Sequence, residues 1–292
     1  MTRTPNIIGG MFGLDAPFAA GSTAGAPFIE PGSLLLANAR SGIHIIVEQI
    51  RPARVWMPSY LCGAMLEGVQ TAPVQFYPVD RNLSIINLDG IEERDLVVVI
   101  DYFGFPAPAR LMNQARSRGA WVLEDACQAL LTRGVGQNSD FVLFSPRKFL
   151  GVPDGGVLTS HTGSELDSIP LEEAPSDWAL KALEAVLLRR EFDLYSGDRS
   201  WFTLFQQIEH ECPVGYFQMS GLAKILLLHA FDYAAIARRR RDNYARLTER
   251  LAGRALFPDL PPEVVPLGFP VRLPARDRVR EALFAAQIYP PI

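Results

Sequence analysis

Lys148 stands in the run Phe144-Ser145-Pro146-Arg147-Lys148-Phe149-Leu150-Gly151, after an acidic strand end, Leu123-Glu124-Asp125-Ala126-Cys127-Gln128, and before a glycine pair, Asp154-Gly155-Gly156. A carboxylate, an amine and a glycine turn in that order could serve pyridoxal phosphate. This aldehyde cofactor needs an amine for a Schiff base, a carboxylate against its pyridine nitrogen and polar groups on its phosphate. A carboxylate at position 125 would keep the ring nitrogen protonated, so that the ring accepts the electrons left when a substrate Cα–H bond breaks. Each residue also has a plainer reading. Asp125 suits the N-cap of a following helix, Gln128 suits a capping box, and Lys148 taken alone is a surface lysine. The setting of Lys148 argues against the surface. It follows a strand, lies three residues after Ser145, and precedes a turn whose glycines let the backbone approach a ligand.

The remaining parts of such a site have candidates too. Gln128 would reach the phenolic oxygen of the ring. Ser145 would hold phosphate through its hydroxyl, and Ser41 and Gly42 through backbone N–H groups opening a helix over 42–50, where unpaired donors and the helix dipole favour a dianion. Arg40 beside them either adds charge or pairs with a surface acid. Tyr60 and Cys62, in Met57-Pro58-Ser59-Tyr60-Leu61-Cys62, are alternative stacking partners for a planar ring, and Tyr60 is equally well placed for simple core packing.

The elements that position these residues follow from the pattern of apolar residues. From Ala53 to about Ser160, short β-rich runs alternate with helical patterns, which predicts an α/β fold with a mostly parallel sheet covered by helices. The runs are 54–57, 74–77, 96–100, 121–123, 141–144 and 157–159, and Leu96-Val97-Val98-Val99-Ile100 reads as a central strand buried on both faces. Helices are expected near 42–50, 60–70 and 108–118, the last ending at Gly119. Ligands of such sheets sit at the carboxyl ends of the strands, where Asp125 falls. Beyond Ser160 the pattern predicts a helix near 177–190, an aromatic segment over 192–217, and one long helix over 219–252, about 34 residues or about 50 Å, able to bridge two domains. Trp201, Phe202, His210 and Tyr216 in the aromatic segment either line a pocket or pack, with packing favoured. A strand at 270–273 and a helix at 277–286 close the chain. The expected division is a large domain over 1–215, then the bridging helix and a small α+β domain over 216–292.

Composition narrows the function classes. With 292 residues, 48% of them hydrophobic, the chain can fill a large core, and its net charge of −4 leaves no footprint for nucleic acid. Arg238-Arg239-Arg240-Arg241 is expected to form the solvated or partner-facing side of a helix. Three scattered cysteines and four scattered histidines form no metal motif and point to a reducing compartment. The first residues lack the apolar block of a signal peptide, and the apolar stretch 225–237 is interrupted by His229 and Asp232, so a cytoplasmic protein that spans no membrane is expected.

Together these residues resemble the DegT/DnrJ/StrS family of pyridoxal phosphate-dependent sugar aminotransferases, of the aspartate aminotransferase superfamily (fold type I). The resemblance covers most of the chain. It rests on Gly9-Gly10-Met11-Phe12, Ala39-Arg40-Ser41-Gly42-Ile43, Pro58-Ser59-Tyr60, Asp101-Tyr102-Phe103-Gly104, Glu124-Asp125-Ala126-Cys127-Gln128, the lysine segment with its double glycine, and Met219-Ser220. It implies a homodimer with active sites shared between subunits, an amino acid donor such as glutamate, and a keto sugar acceptor that is nucleotide-linked. Asp125 would then pair with the pyridine nitrogen, Gln128 with the ring oxygen and Lys148 with the aldehyde, while Ser145 and Ser41 would hold phosphate. Two departures stand out. Many family members place the serine five residues before the lysine rather than three. The family also runs on well past Tyr289-Pro290-Pro291, so an incomplete small domain is expected here. That leaves two alternatives to transamination: a catalytically degenerate binding or regulatory protein, or a pyridoxal phosphate-dependent lyase or dehydratase. The sugar dehydratase variant of the family has histidine where this chain keeps Lys148.

Overall fold

A strand that is apolar at every position, like Leu96–Ile100, has to be covered on both faces. In the computed structural model it lies inside a nine-stranded sheet with all five side chains buried. The structure describes residues 7–14, 25–162, 166–251 and 253–290; residues 1–6 and 291–292, read above as the chain's opening and closing segments, lie outside these. In chain order the elements are β1 (Ile8–Gly9), β2 (Leu34–Leu36), α1 (Ala39–Ile50), β3 (Val55–Pro58), β4 (Val74–Tyr77), β5 (Leu96–Ile100), α2 (Ala109–Ser117), β6 (Trp121–Asp125), β7 (Phe141–Phe144) and β8 (Gly156–Ser160). There follow β9 (Glu172–Glu173), α3 (Ser176–Tyr195), α4 (Ser200–His210), β10 (Phe217–Gln218), α5 (Gly221–His229), α6 (Tyr233–Arg250), α7 (Arg276–Ala285) and β11 (Ile288–Tyr289).

The sheet runs β4-β3-β5-β6-β7-β8-β2-β10-β9. Its first five strands are mutually parallel, β8, β2 and β10 follow in antiparallel steps, and β9 runs parallel to β10. This is the mostly parallel α/β sheet that the alternating pattern predicts. The two faces of β5 feed separate cores. Leu96 and Val98 join Ile43, Ile46 and Val47 of α1, whereas Val97 and Val99 join Leu111, Met112 and Ala115 of α2. Each such aliphatic side chain contributes about 1.5–3 kcal/mol on burial. β1 pairs in parallel with β11, so residues near the two ends of the chain lie side by side.

Three expectations need correction. The long helix over 219–252 is two helices, α5 and α6. Asp232 caps the second by accepting the Ala235 N–H at 2.8 Å, and the Tyr233 hydroxyl donates to the Leu227 carbonyl at the end of the first. Burial of Phe231 and Tyr233 rewards the break. Second, the arginine run is not uniformly solvated. Arg238 and Arg239 are exposed, but Arg240 donates to the Leu267 carbonyl at 3.0 Å and Arg241 to the Pro261 carbonyl at 2.7 Å. Third, the strand at 270–273 is reduced to a single bridge between Val271 and Ala255, and the helix near 60–70 to a 3₁₀ stretch, Gly63–Gly68.

Arg240 and Arg241 anchor a tail that buttresses the sheet. The Leu267 N–H donates to the Phe103 carbonyl at 2.8 Å, and Val265 N–H to Thr132 Oγ1 at 3.0 Å. Gly104, at φ +99°, approaches so closely that a Cβ there would lie 2.6 Å from the Val265 oxygen. On the other side the Arg240 guanidinium covers the Phe149 ring at 4.2 Å, next to the lysine turn, and burial pushes its pKa down to about 10. Among the described residues no helix is long and apolar enough to cross a membrane, and no group of three or more His, Cys, Asp or Glu side chains is arranged to hold a metal ion.

Candidate active site

Asp125 ends β6, and Lys148 ends a 3₁₀ turn, Pro146–Lys148, that begins two residues after β7. The strands are neighbours in register, with Asp125 opposite Leu143, so both groups lie at the carboxyl edge of the parallel sheet. Asp125 is 5% exposed, while Lys148 is exposed at the surface of this chain. Their charges meet at one buried atom. Burial pushes the Cys127 thiol well up, the Asp125 charge adds to that push, and the Lys148 ammonium opposes it.

Asp125 does not cap a helix, because none follows it. Its Oδ1 accepts the N–H of Cys127 at 2.9 Å in an Asx turn, and the Cys127 thiol interacts with the same carboxylate, which still keeps acceptor capacity to spare. Gln128 does not complete a capping box either. Its Oε1 accepts the N–H of Phe103 at 2.9 Å. Since a backbone N–H can only donate, the oxygen end of the amide is fixed there and its NH₂ end is free to donate. Phe103 itself takes φ +57°, and the tail described above closes over its carbonyl.

The wall opposite comes from the loops after β3 and β5. Tyr60 is 46% exposed, with its ring 5.7 Å from that of Tyr102 and its carbonyl held by the Tyr102 hydroxyl. Core packing of Tyr60 is therefore ruled out. Cys62, the other stacking candidate, is exposed as well. Burial first, then the Asp125 charge, raise the Tyr102 hydroxyl well above the ordinary phenol range.

The phosphate side departs from expectation. The helix opens at Ala39, not at Gly42, because Asn38 is its N-cap and takes the Ser41 N–H at 3.0 Å. Ser41 is wholly buried, its hydroxyl lying between the Pro213 carbonyl at 3.5 Å and the Gly215 N–H at 3.3 Å. Gly42, fourth in the helix, has its N–H inside the ladder and its Cα face against Leu143. Neither residue has a donor left for a ligand. The open N–H groups of α1 are those of Ala39 and Arg40. The glycine turn is packed on this corner: Gly155 N–H donates to the Ala37 carbonyl at 2.8 Å, and a Cβ on Gly156 would lie 2.5 Å from the Asn38 carbonyl. Ser145 is half-buried, and its hydroxyl makes no hydrogen bond to the described residues.

Two side-chain groups lie near these residues; the sequence offered Arg40 as a source of charge or the partner of an acid, but not Arg147 and Glu209 beside it, nor the pairing of Asp101 with Glu124. Arg40 and Arg147 both grip the Glu209 carboxylate, at 2.7 and 2.8 Å. Burial opposes that negative charge, but Arg147, then Arg40 and Lys148, hold Glu209 below the usual carboxylate range. Behind Asp125, the wholly buried Asp101 faces Glu124, which is 2% exposed. Asp101 Oδ1 accepts the Ala107 N–H at 2.8 Å, Glu124 Oε2 accepts the Gly136 N–H at 2.9 Å, and Asp101 Oδ2 is left without a donor. Burial, then the charge of Glu124, push Asp101 well above the ordinary carboxylate range, and burial also raises Glu124, so the folded pair favours holding a proton. An acid with a raised folded pKa loses stability as pH climbs from its unfolded value toward the folded one. The pair's contribution to stability is therefore expected to decline as pH rises from about 4. Asp101→Asn keeps the Ala107 bond and offers Glu124 an N–H, so it should flatten that decline. An unchanged profile of melting temperature against pH in the variant would show that the pair carries no such proton.

A cavity of about 570 Å³ is lined by Phe28, Arg116, Leu130, Arg133, Gln137 and His161, among others, and reaches Gly136, the donor to Glu124; neither Lys148, Asp125 nor Gln128 lines it.

Comparison with solved structures bears on this arrangement. A DegT/DnrJ/EryC1/StrS aminotransferase from Brucella abortus superposes with a TM-score of 0.56 at 16% identity, over 88% of this chain and 69% of that one. A protein described as a sugar aminotransferase from Streptococcus pneumoniae, solved in its PLP form, gives 0.60 at 17% identity over 88% and 71%. This chain has their fold. DesV from S. venezuelae, solved with a ketimine intermediate, shares it as well, with a TM-score of 0.59 at 19% identity over 88% of this chain and 68% of that one. No family model and no curated protein matches the sequence.

Proposed function

We propose that this chain belongs with the DegT/DnrJ/StrS enzymes and is a pyridoxal phosphate-dependent aminotransferase that moves an amino group from an amino acid, glutamate foremost, to a nucleotide-linked keto sugar. The observation that carries the reading is that Asp125 ends one strand and Lys148 lies in the turn that follows the adjacent parallel strand, both at the carboxyl edge of the sheet. It is supported by the resemblance of the sequence and by a fold shared with aminotransferases solved with this cofactor.

The residues present fit that cofactor, because the groups with unused hydrogen-bonding capacity match its polar edges. Asp125 Oδ2 would face the ring nitrogen, the Gln128 NH₂ the ring oxygen, and Ser145 with the Ala39 and Arg40 N–H groups the phosphate. Tyr60 is the stacking wall we favour, since its ring is already braced by Tyr102. When bound, pyridoxal phosphate supplies an aldehyde carbon for amines and a ring that accepts an electron pair. Lys148 Nζ would anchor the cofactor at rest and, when free, would take the proton from the donor Cα and return it as general acid. Asp125 would hold a proton on the ring nitrogen. The exposure of Lys148 and Tyr60 on a single chain is what a site completed by a second copy would leave open, which supports a homodimer with shared sites.

The test is a half-reaction. Purified protein is mixed with pyridoxal phosphate and glutamate, and the conversion of the cofactor to its amine form is followed by absorbance. Conversion supports an aminotransferase. Binding without conversion would favour the degenerate reading instead, and no uptake of the cofactor would end both.

A further inference from the structure

Glu209 lies 62 residues from Arg147 and 169 from Arg40 in sequence, yet its two oxygens bridge them. It comes from the last turn of α4, Oε2 accepting from Arg40 and Oε1 from Arg147. Arg40 opens α1 beside Ala39, and Arg147 directly precedes Lys148, so the carboxylate sits between the open helix end and the lysine turn. Both guanidinium side chains are well covered, at 13% and 16% exposure, whereas that of Glu209 is 36% exposed and has a way out to solvent. Arg40 is also held from behind, by Glu67 at 2.8 Å and by the Glu209 main-chain carbonyl at 3.0 Å.

Guanidinium groups bind carboxylate and phosphate with the same forked donors, and a phosphate brings more charge and one more acceptor oxygen. Building on the aminotransferase reading, we propose that Glu209 is a resident anion that occupies Arg40 and Arg147 until the cofactor's phosphate displaces it, the two arginines then becoming phosphate ligands. The exchange leaves the guanidinium pair compensated in both states. It also makes the site discriminate by charge, because a singly charged anion gains little by replacing a carboxylate that is already tethered.

The experiment uses the full chain and three probes: pyridoxal phosphate, pyridoxal, which carries the same aldehyde without phosphate, and inorganic phosphate. Imine absorbance reports the first two and calorimetry the third. Glu209→Gln is expected to tighten pyridoxal phosphate and inorganic phosphate roughly tenfold while leaving pyridoxal unchanged. Glu67→Gln removes the same unit charge from the far side of Arg40 and should change affinity less than about twofold. Weaker phosphate binding in Glu209→Gln would mean that Glu209 is a strut holding the arginines, and equal tightening in Glu67→Gln would reduce the effect to net charge; either result overturns the proposal. Glu209→Ala, which leaves no amide donor against Arg147, serves if the glutamine variant fails to fold. If no form takes up pyridoxal phosphate, the aminotransferase reading falls, and the inorganic phosphate arm still decides the role of Glu209.

Discussion

Lys148→Ala is expected to lower transamination by about 10⁴-fold or more while leaving the fold intact. The reasoning is local. Lys148 is exposed, its Nζ makes no hydrogen bond or ion pair with the described residues, and the turn it ends is closed by backbone bonds, Lys148 N–H to the Ser145 carbonyl and Phe149 N–H to the Pro146 carbonyl at 2.9 Å. Alanine disturbs none of these, so the melting temperature should hardly move. What disappears is the only amine proposed to carry the cofactor and shuttle the proton. Borohydride reduction followed by peptide mass mapping separates the possibilities: the wild type should carry a reduced cofactor on Lys148 and the variant none. Lys148→Arg keeps the charge but forms no imine, so it should behave like alanine. Full activity in either variant would remove the lysine from the mechanism.

Asp125→Asn should produce a different defect, a loss of about 10³-fold in kcat with the imine still formed. The asparagine carbonyl can keep the Cys127 N–H bond at Oδ1, so the Asx turn survives. The negative charge at the other oxygen does not. Without it nothing holds a proton on the ring nitrogen, and the electron pair released from the donor Cα has a poorer acceptor. The expected result is therefore a normal cofactor spectrum, a nearly normal melting curve and a collapsed half-reaction rate. An unaltered rate would mean that Asp125 serves only its turn.

Lys148, Asp125 and Gln128 could be singled out as candidates because a parallel sheet delivers strand ends to one edge, and its central run, Leu96–Ile100, is apolar without interruption. Short strands gave a weaker signal: β2, Leu34–Leu36, is apolar throughout but only three residues long, and β10, Phe217–Gln218, has two. They exist because of partners far away in the chain, Leu34 opposite Leu158 and Gln218 opposite Leu36. Ser41 was misassigned although the cue was present: Asn38, a favoured N-cap residue, stands three positions before it and moves the open N–H groups back to Ala39 and Arg40. The break between α5 and α6 was hidden because an apolar repeat continues through it, and only the burial of Phe231 and Tyr233 makes Asp232 a cap. No local pattern could have brought Glu209 to Arg40 across 169 residues.

The tail that closes on Phe103 and reaches Phe149 through Arg240 also sets an order of events. During synthesis the lysine and the acid leave the ribosome more than a hundred residues before Leu267, whose N–H finishes one wall, and about ninety or more before Arg240, which finishes the other. Contacts this distant in sequence form late. A nascent chain would thus carry Lys148 without a pocket around it, and capture of the proposed cofactor should mark the completion of folding rather than help to begin it.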